Sequence, residues 1–95
     1  MIPNVQGLDP VMPSTPYVAV VPTAVVKENP IVNILSVSGG EYELYDIYGS
    51  LYTKGSYDNL DHNAFQVRLP SVEGTYVFRL YDRGAGKREV KVMVY

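Results

Sequence analysis

Ninety-five residues are enough for one domain with a modest core and leave no room for a second. The absence of cysteine excludes a disulfide framework and thiolate metal sites, so the fold rests on side-chain packing and sheet hydrogen bonds. Eight basic against ten acidic residues give a net charge of −2, which provides no global attraction for nucleic acid or anionic lipid.

The first sixteen residues carry Pro3, Pro10, Pro13 and Pro16, with Asn4 and Gly7 between them. That spacing forbids a helix or a long strand and predicts a flexible arm or linker over 1–16, followed by one β-domain over 17–95. No apolar run reaches the roughly 20 residues that span a bilayer. No basic segment followed by an apolar one and a cleavage site marks a signal peptide.

Residues 17–26, YVAVVPTAVV, are rich in β-branched side chains, and Pro22 predicts an edge position or a break into two short pieces. Glu28-Asn29-Pro30 turns the chain into IVNILSV at 31–37. There Ile31, Asn33, Leu35 and Val37 share one face and Val32, Ile34 and Ser36 the other, so alternation alone does not choose the core side. Ser38-Gly39-Gly40 is the next turn, and EYELYDIYG at 41–49 sets Tyr42 and Leu44 against Tyr45 and Ile47. A reversal at Gly49 or Ser50 leads into SLYTK at 50–54, and the polar stretch from Gly55 to Asn63 reads as a loop with Leu60 tucked toward the core.

The last third alternates more cleanly. In AFQVRLP at 64–70, Phe65, Val67 and Leu69 face inward, and Pro70 ends the strand. Ser71-Val72-Glu73-Gly74 turns into TYVFRLYD at 75–82, with Tyr76, Phe78 and Leu80 inward. Arg83 to Gly86 makes a hairpin turn into REVKVMVY at 88–95, with Val90, Val92 and Val94 on one side. Six or seven short strands punctuated by Gly, Pro and Asn, without helical periodicity, predict an all-β, antiparallel two-sheet sandwich, with a small barrel as the structural alternative.

Candidate sites are sparse. His62 is the single histidine, and with Asp58 and Asp61 it makes poor material for zinc. Asn59, Asp61 and Asn63 alternate as in a calcium loop, but Ala64 and Pro70 occupy the positions where an EF-hand needs glycine and glutamate. Gly84 and Gly86 suit a hairpin, and the cluster Arg79, Arg83, Lys87, Arg88 and Lys91 reads as a solvated face interrupted by Asp82 and Glu89. No catalytic set and no cofactor site emerges. Nine tyrosines against two phenylalanines are unusual, and Tyr45, Tyr48, Tyr52, Tyr57 and Tyr81 are the candidate recognition surface for protein, peptide or glycan.

A series of short pieces carries a resemblance: Asn29-Pro30 with Asn33-Ile34-Leu35, then Leu44-Tyr45-Asp46-Ile47-Tyr48-Gly49, Val67-Arg68-Leu69-Pro70, Gly74-Thr75-Tyr76-Val77-Phe78-Arg79-Leu80 and a last valine-rich strand. In this order they span about two thirds of the chain. The segment resembles the C-terminal sorting domain of the type IX secretion system of Bacteroidetes, and equally the small β-sandwich proteins of unknown function that gut Bacteroides export.

The resemblance implies an immunoglobulin-like sandwich in the periplasm, on the cell surface or secreted, with its signal peptide removed. It implies a non-enzymatic accessory or interaction domain that meets a protein, the secretion machinery or a second copy. A carbohydrate-binding module using surface tyrosines is the alternative function. In that family the Asn-Pro pair opens the domain and Gly-x-Tyr starts a late core strand. Independently of the family, Pro30 restricts Asn29 to extended geometry, Gly49 and Gly74 permit turn conformations, and Asp46 is placed to cap the turn at Tyr48-Gly49.

Overall fold

The computed structural model describes residues 16–58 and 64–95. The arm expected before residue 16 and the loop residues Asn59, Leu60, Asp61, His62 and Asn63 lie outside the described residues.

The β-branched opening does break at Pro22. β1 (Val18–Val21) and β2 (Ala24–Val25) lie on either side of it, and the Val21–Pro22 peptide is cis. The two pieces join different sheets: β1 is an edge of one and β2 an edge of the other. β3 (Ile31–Ser36) follows, then β4 (Gly40–Asp46), β5 (Leu51–Tyr57), β6 (Phe65–Arg68), β7 (Gly74–Asp82) and β8 (Gly86–Val94).

A three-stranded sheet has the order β1-β3-β6, and a five-stranded sheet the order β2-β8-β7-β4-β5. The fold is all-β with two packed sheets, as expected, but with two departures. Eight strands stand among the described residues, because Pro22 splits one, and β5 runs on through residues 55–57. The pairing is mixed rather than purely antiparallel, since β2 runs parallel to β8, pairing Ala24 with Met93 and Val25 with Val94. No helix among the described residues is long and apolar enough to cross a membrane.

Alternation places the core. On the three-stranded sheet Val20, Val32, Ile34 and Val67 point inward, which resolves the ambiguous faces of β3. From the other sheet Tyr42, Leu44, Tyr57, Tyr76, Phe78, Leu80, Val92 and Val94 meet them, and Leu69 joins just past β6. Phe78, Leu44, Leu80 and Ile34 are wholly buried, each contributing about 1.5–3 kcal/mol of transfer free energy. The Tyr42 ring sits 5.9 Å from Phe65 and 6.0 Å from Phe78, tilted against both.

Asp46 and Asn29 hold bends by hydrogen bonds, whereas Gly74 opens β7 opposite Val94. Asp46 Oδ1 accepts the N–H groups of Tyr48 and Ser50, and Gly49 between them has φ 89°, which a side chain would strain. Asn29 closes a turn by donating its N–H to Val26 O, while the buried Pro30 offers its carbonyl to Leu69 N–H. After Gly74, the Tyr76 hydroxyl reaches back to donate to Val72 O at 2.8 Å, tying the start of β7 to the turn before it.

Candidate functional site

Because β4, β7 and β8 spend one face on the core, their other side chains form a continuous outer surface on the five-stranded sheet. The ladder register orders it into rows. Lys54, Glu43, Arg79 and Glu89 lie side by side across β5, β4, β7 and β8. One row on, Ser56, Glu41, Tyr81 and Lys87 are neighbours. On the other side Leu51, Tyr45, Val77 and Lys91 align, Leu51 reaching Tyr45 through a register shift after Leu44.

Glu43 is the centre of this surface. Its Oε1 accepts the hydroxyls of Tyr45 at 2.9 Å and Tyr81 at 3.0 Å. Those two bonds, Tyr45's foremost, hold the Glu43 carboxyl below the ordinary glutamate range, with Arg79 and Lys54 adding to the effect. The same bonds push both phenols up. Arg79 stands 5.2 Å from the Tyr45 ring centre and pairs with Glu89 at 3.2 Å, while Lys87 lies 5.9 Å from the Tyr81 ring. Glu41, Glu43, Lys54, Gly55, Ser56 and Tyr81 line a depression of about 370 Å³ between β4 and β5. The surface thus combines aromatic faces with paired charges.

Of the five candidate tyrosines, the fold brings Tyr45 and Tyr81 together through Glu43. Tyr52 is exposed on β5, apart from that pairing, and Tyr48 stands 91% exposed at the β4–β5 turn. Tyr57 is a correction. It is 2% exposed and belongs to the core, because the polar stretch read as a loop from residue 55 continues β5 for three residues and turns Tyr57 inward. Glu43 itself was not singled out by sequence reasoning, although the alternation of 41–46 already sets it on the face opposite Tyr42 and Leu44. In the basic cluster Arg79, Lys87 and Lys91 face outward, Arg79 paired with Glu89, Lys87 opposite Tyr81 and Lys91 opposite Val77, while Arg83 donates to the Ser38 carbonyl.

A second polar cluster is internal. Asp82, 5% exposed at the end of β7, accepts the Ser36 hydroxyl at 2.5 Å and the Tyr57 hydroxyl at 3.1 Å on Oδ1. Its Oδ2 accepts the N–H groups of Gly84 and Ala85. Ser36 Oγ in turn accepts the N–H groups of Ser38 and Gly39. Burial opposes ionisation of Asp82, but the bonds from Ser36, Ala85, Tyr57 and Gly84 outweigh it and leave the carboxyl below the ordinary aspartate value. Burial and the Asp82 charge drive the Tyr57 phenol upward. Both oxygens of Asp82 are occupied, so the cluster clasps the two sheets together. The only signal for it was an aspartate at a position where the inward-facing alternation of Tyr76, Phe78 and Leu80 calls for an apolar residue.

Among the described residues no group of three or more histidine, aspartate or glutamate side chains is placed to hold a metal ion. No protein-family model matches the chain, and no curated protein matches it either.

Proposed function

We propose that the chain is an immunoglobulin-like, non-catalytic interaction domain, exported and related to secretion-sorting modules, that recognises a protein through the outer face of its five-stranded sheet. The observation that carries this reading is the Tyr45–Glu43–Tyr81 cluster, in which two aromatic rings are held by one carboxylate on an open sheet face.

Connectivity supports the immunoglobulin-like part. β3 and β6 share one sheet and β4, β7 and β8 the other, the partition of strands B and E against C, F and G in that fold. Tyr76, at the start of the strand corresponding to F, bonds back to Val72 O as a tyrosine corner does. The kinship with sorting modules rests on the sequence pieces quoted above.

The test appends the full chain to the C-terminus of a periplasmic reporter in a host with type IX secretion and in its secretion-deficient mutant. Secretion-dependent arrival at the cell surface, abolished by Glu43→Arg, is the expected result. Folded reporter retained in the periplasm removes the sorting reading. Carbohydrate binding is the second reading, favoured by the Tyr81-lined depression and weakened by the loss of Tyr57 to the core. A glycan array probed with wild type and Tyr81→Ala decides it.

A further inference from the structure

The outer face of the five-stranded sheet carries a pattern that is complementary to itself. Across the strands its central row alternates in sign: Lys54, Glu43, Arg79, Glu89. A twofold axis lying in the plane of contact and running along the strands, between β4 and β7, exchanges the two halves of that row. It brings Glu43 of one copy over Arg79 of the second, and Lys54 over Glu89, each pairing occurring twice.

The flanking rows obey the same operation. Tyr81 comes over Glu41 of the second copy, an aromatic ring facing a carboxylate rather than a like charge. Tyr45 comes over Val77, and Leu51 over the aliphatic stem of Lys91. No like charges oppose one another in these rows. The axis keeps the strand directions of the two sheets nearly aligned, the usual arrangement of sheets packed face to face.

We propose that this face is an isologous homodimer interface, a second copy of the chain being its occupant. The inference rests on the reading of the outer face as the recognition surface and names the partner. Alternation in sign is what selects a second copy: an isologous interface needs a surface that matches itself under a twofold, and a row of alternating charges centred between two strands does so. Five strands spaced by about 4.8 Å give a face on the order of 20 Å by 25 Å, smaller than the roughly 800 Å² per partner of a standard interface. The dimer is therefore weak and concentration-dependent.

Sedimentation equilibrium of the full chain from about 10 µM to about 1 mM brackets an interface of this size. Wild type is expected to dimerise within that range and to associate less as salt is added, because the interface charges are partly screened. Glu43→Arg alone places arginine over arginine, and Arg79→Glu alone places glutamate over glutamate. Each is expected to lower the association constant at least about tenfold. Mixed in equal amounts, the two variants oppose charge correctly again, and a heterodimer of near wild-type affinity forms.

A wild type that stays monomeric throughout, a dimer indifferent to both reversals, or a mixture that fails to associate overturns the proposal. Should either variant not fold, a wild-type dimer unaffected by salt overturns it as well. A monomer whose reporter still reaches the cell surface removes the second copy and spares the sorting reading, whereas a dimer whose reporter stays in the periplasm does the reverse.

Discussion

Asp82 ends β7 with its carboxylate out of water, and four donors from three segments converge on it: Ser36 from β3, Tyr57 from β5, and two backbone N–H groups of the β7–β8 turn. Asparagine at this position keeps the shape but offers a donor where an acceptor is needed. Asp82→Asn is expected to destabilise the fold by about 2–3 kcal/mol at neutral pH, read from urea denaturation. Glu43 is the surface counterpart, and its cost lies in titration rather than stability. Its carboxyl, followed by NMR, is expected to titrate below an ordinary glutamate and to return toward that range in the Tyr45→Phe/Tyr81→Phe double variant, since the two phenols are the first causes of its shift.

β5 shows how one missing side chain positions an element. Gly55 pairs with Tyr42 across the ladder, and a β-carbon there would come within 2.9 Å of the Tyr42 ring, which is already wedged between Phe65 and Phe78. Gly55→Ala is expected to cost about 1–3 kcal/mol through overpacking, measured by chemical denaturation. At the turn into β7, Tyr76→Phe removes only the bond to Val72 O and is expected to cost about 1 kcal/mol. These elements also explain the misplaced end of β5. Lys54-Gly55-Ser56 is polar and glycine-bearing because Lys54 and Ser56 face solvent while Gly55 yields space, and a strand with that composition reads as a loop until Tyr42 is placed opposite it.

At the scale of the whole molecule, the Asp82 clasp joins the three-stranded sheet to the five-stranded one, so its protonation bears on global stability. The folded pKa lies below the unfolded one, whose ordinary value is about 3.9. The contribution is therefore complete above that value and is lost as pH falls through the folded pKa. Wild type is expected to lose stability on acidification below about pH 4, and the gap between wild type and Asp82→Asn to narrow over the same interval. Parallel urea titrations across that interval read both effects.

The two-residue alternation of β4, β6, β7 and β8 was legible in the amino-acid order, and with it the two-sheet class, most of the core and the bends near Asn29-Pro30 and Asp46-Gly49, because these depend on neighbours in the chain. The inward face of β3 was not, since both its faces are apolar and only the opposing sheet selects Val32 and Ile34. Nor was the parallel seat of β2 beside β8, which joins residues some seventy positions apart. Tyr57 became a core residue through the pairing of β5 with β4, and Glu43 gained Tyr81 through the register of β4 against β7, beside Tyr45 two residues along its own strand. Local sequence sets which way each side chain points along its own strand, and tertiary pairing decides what that side chain meets.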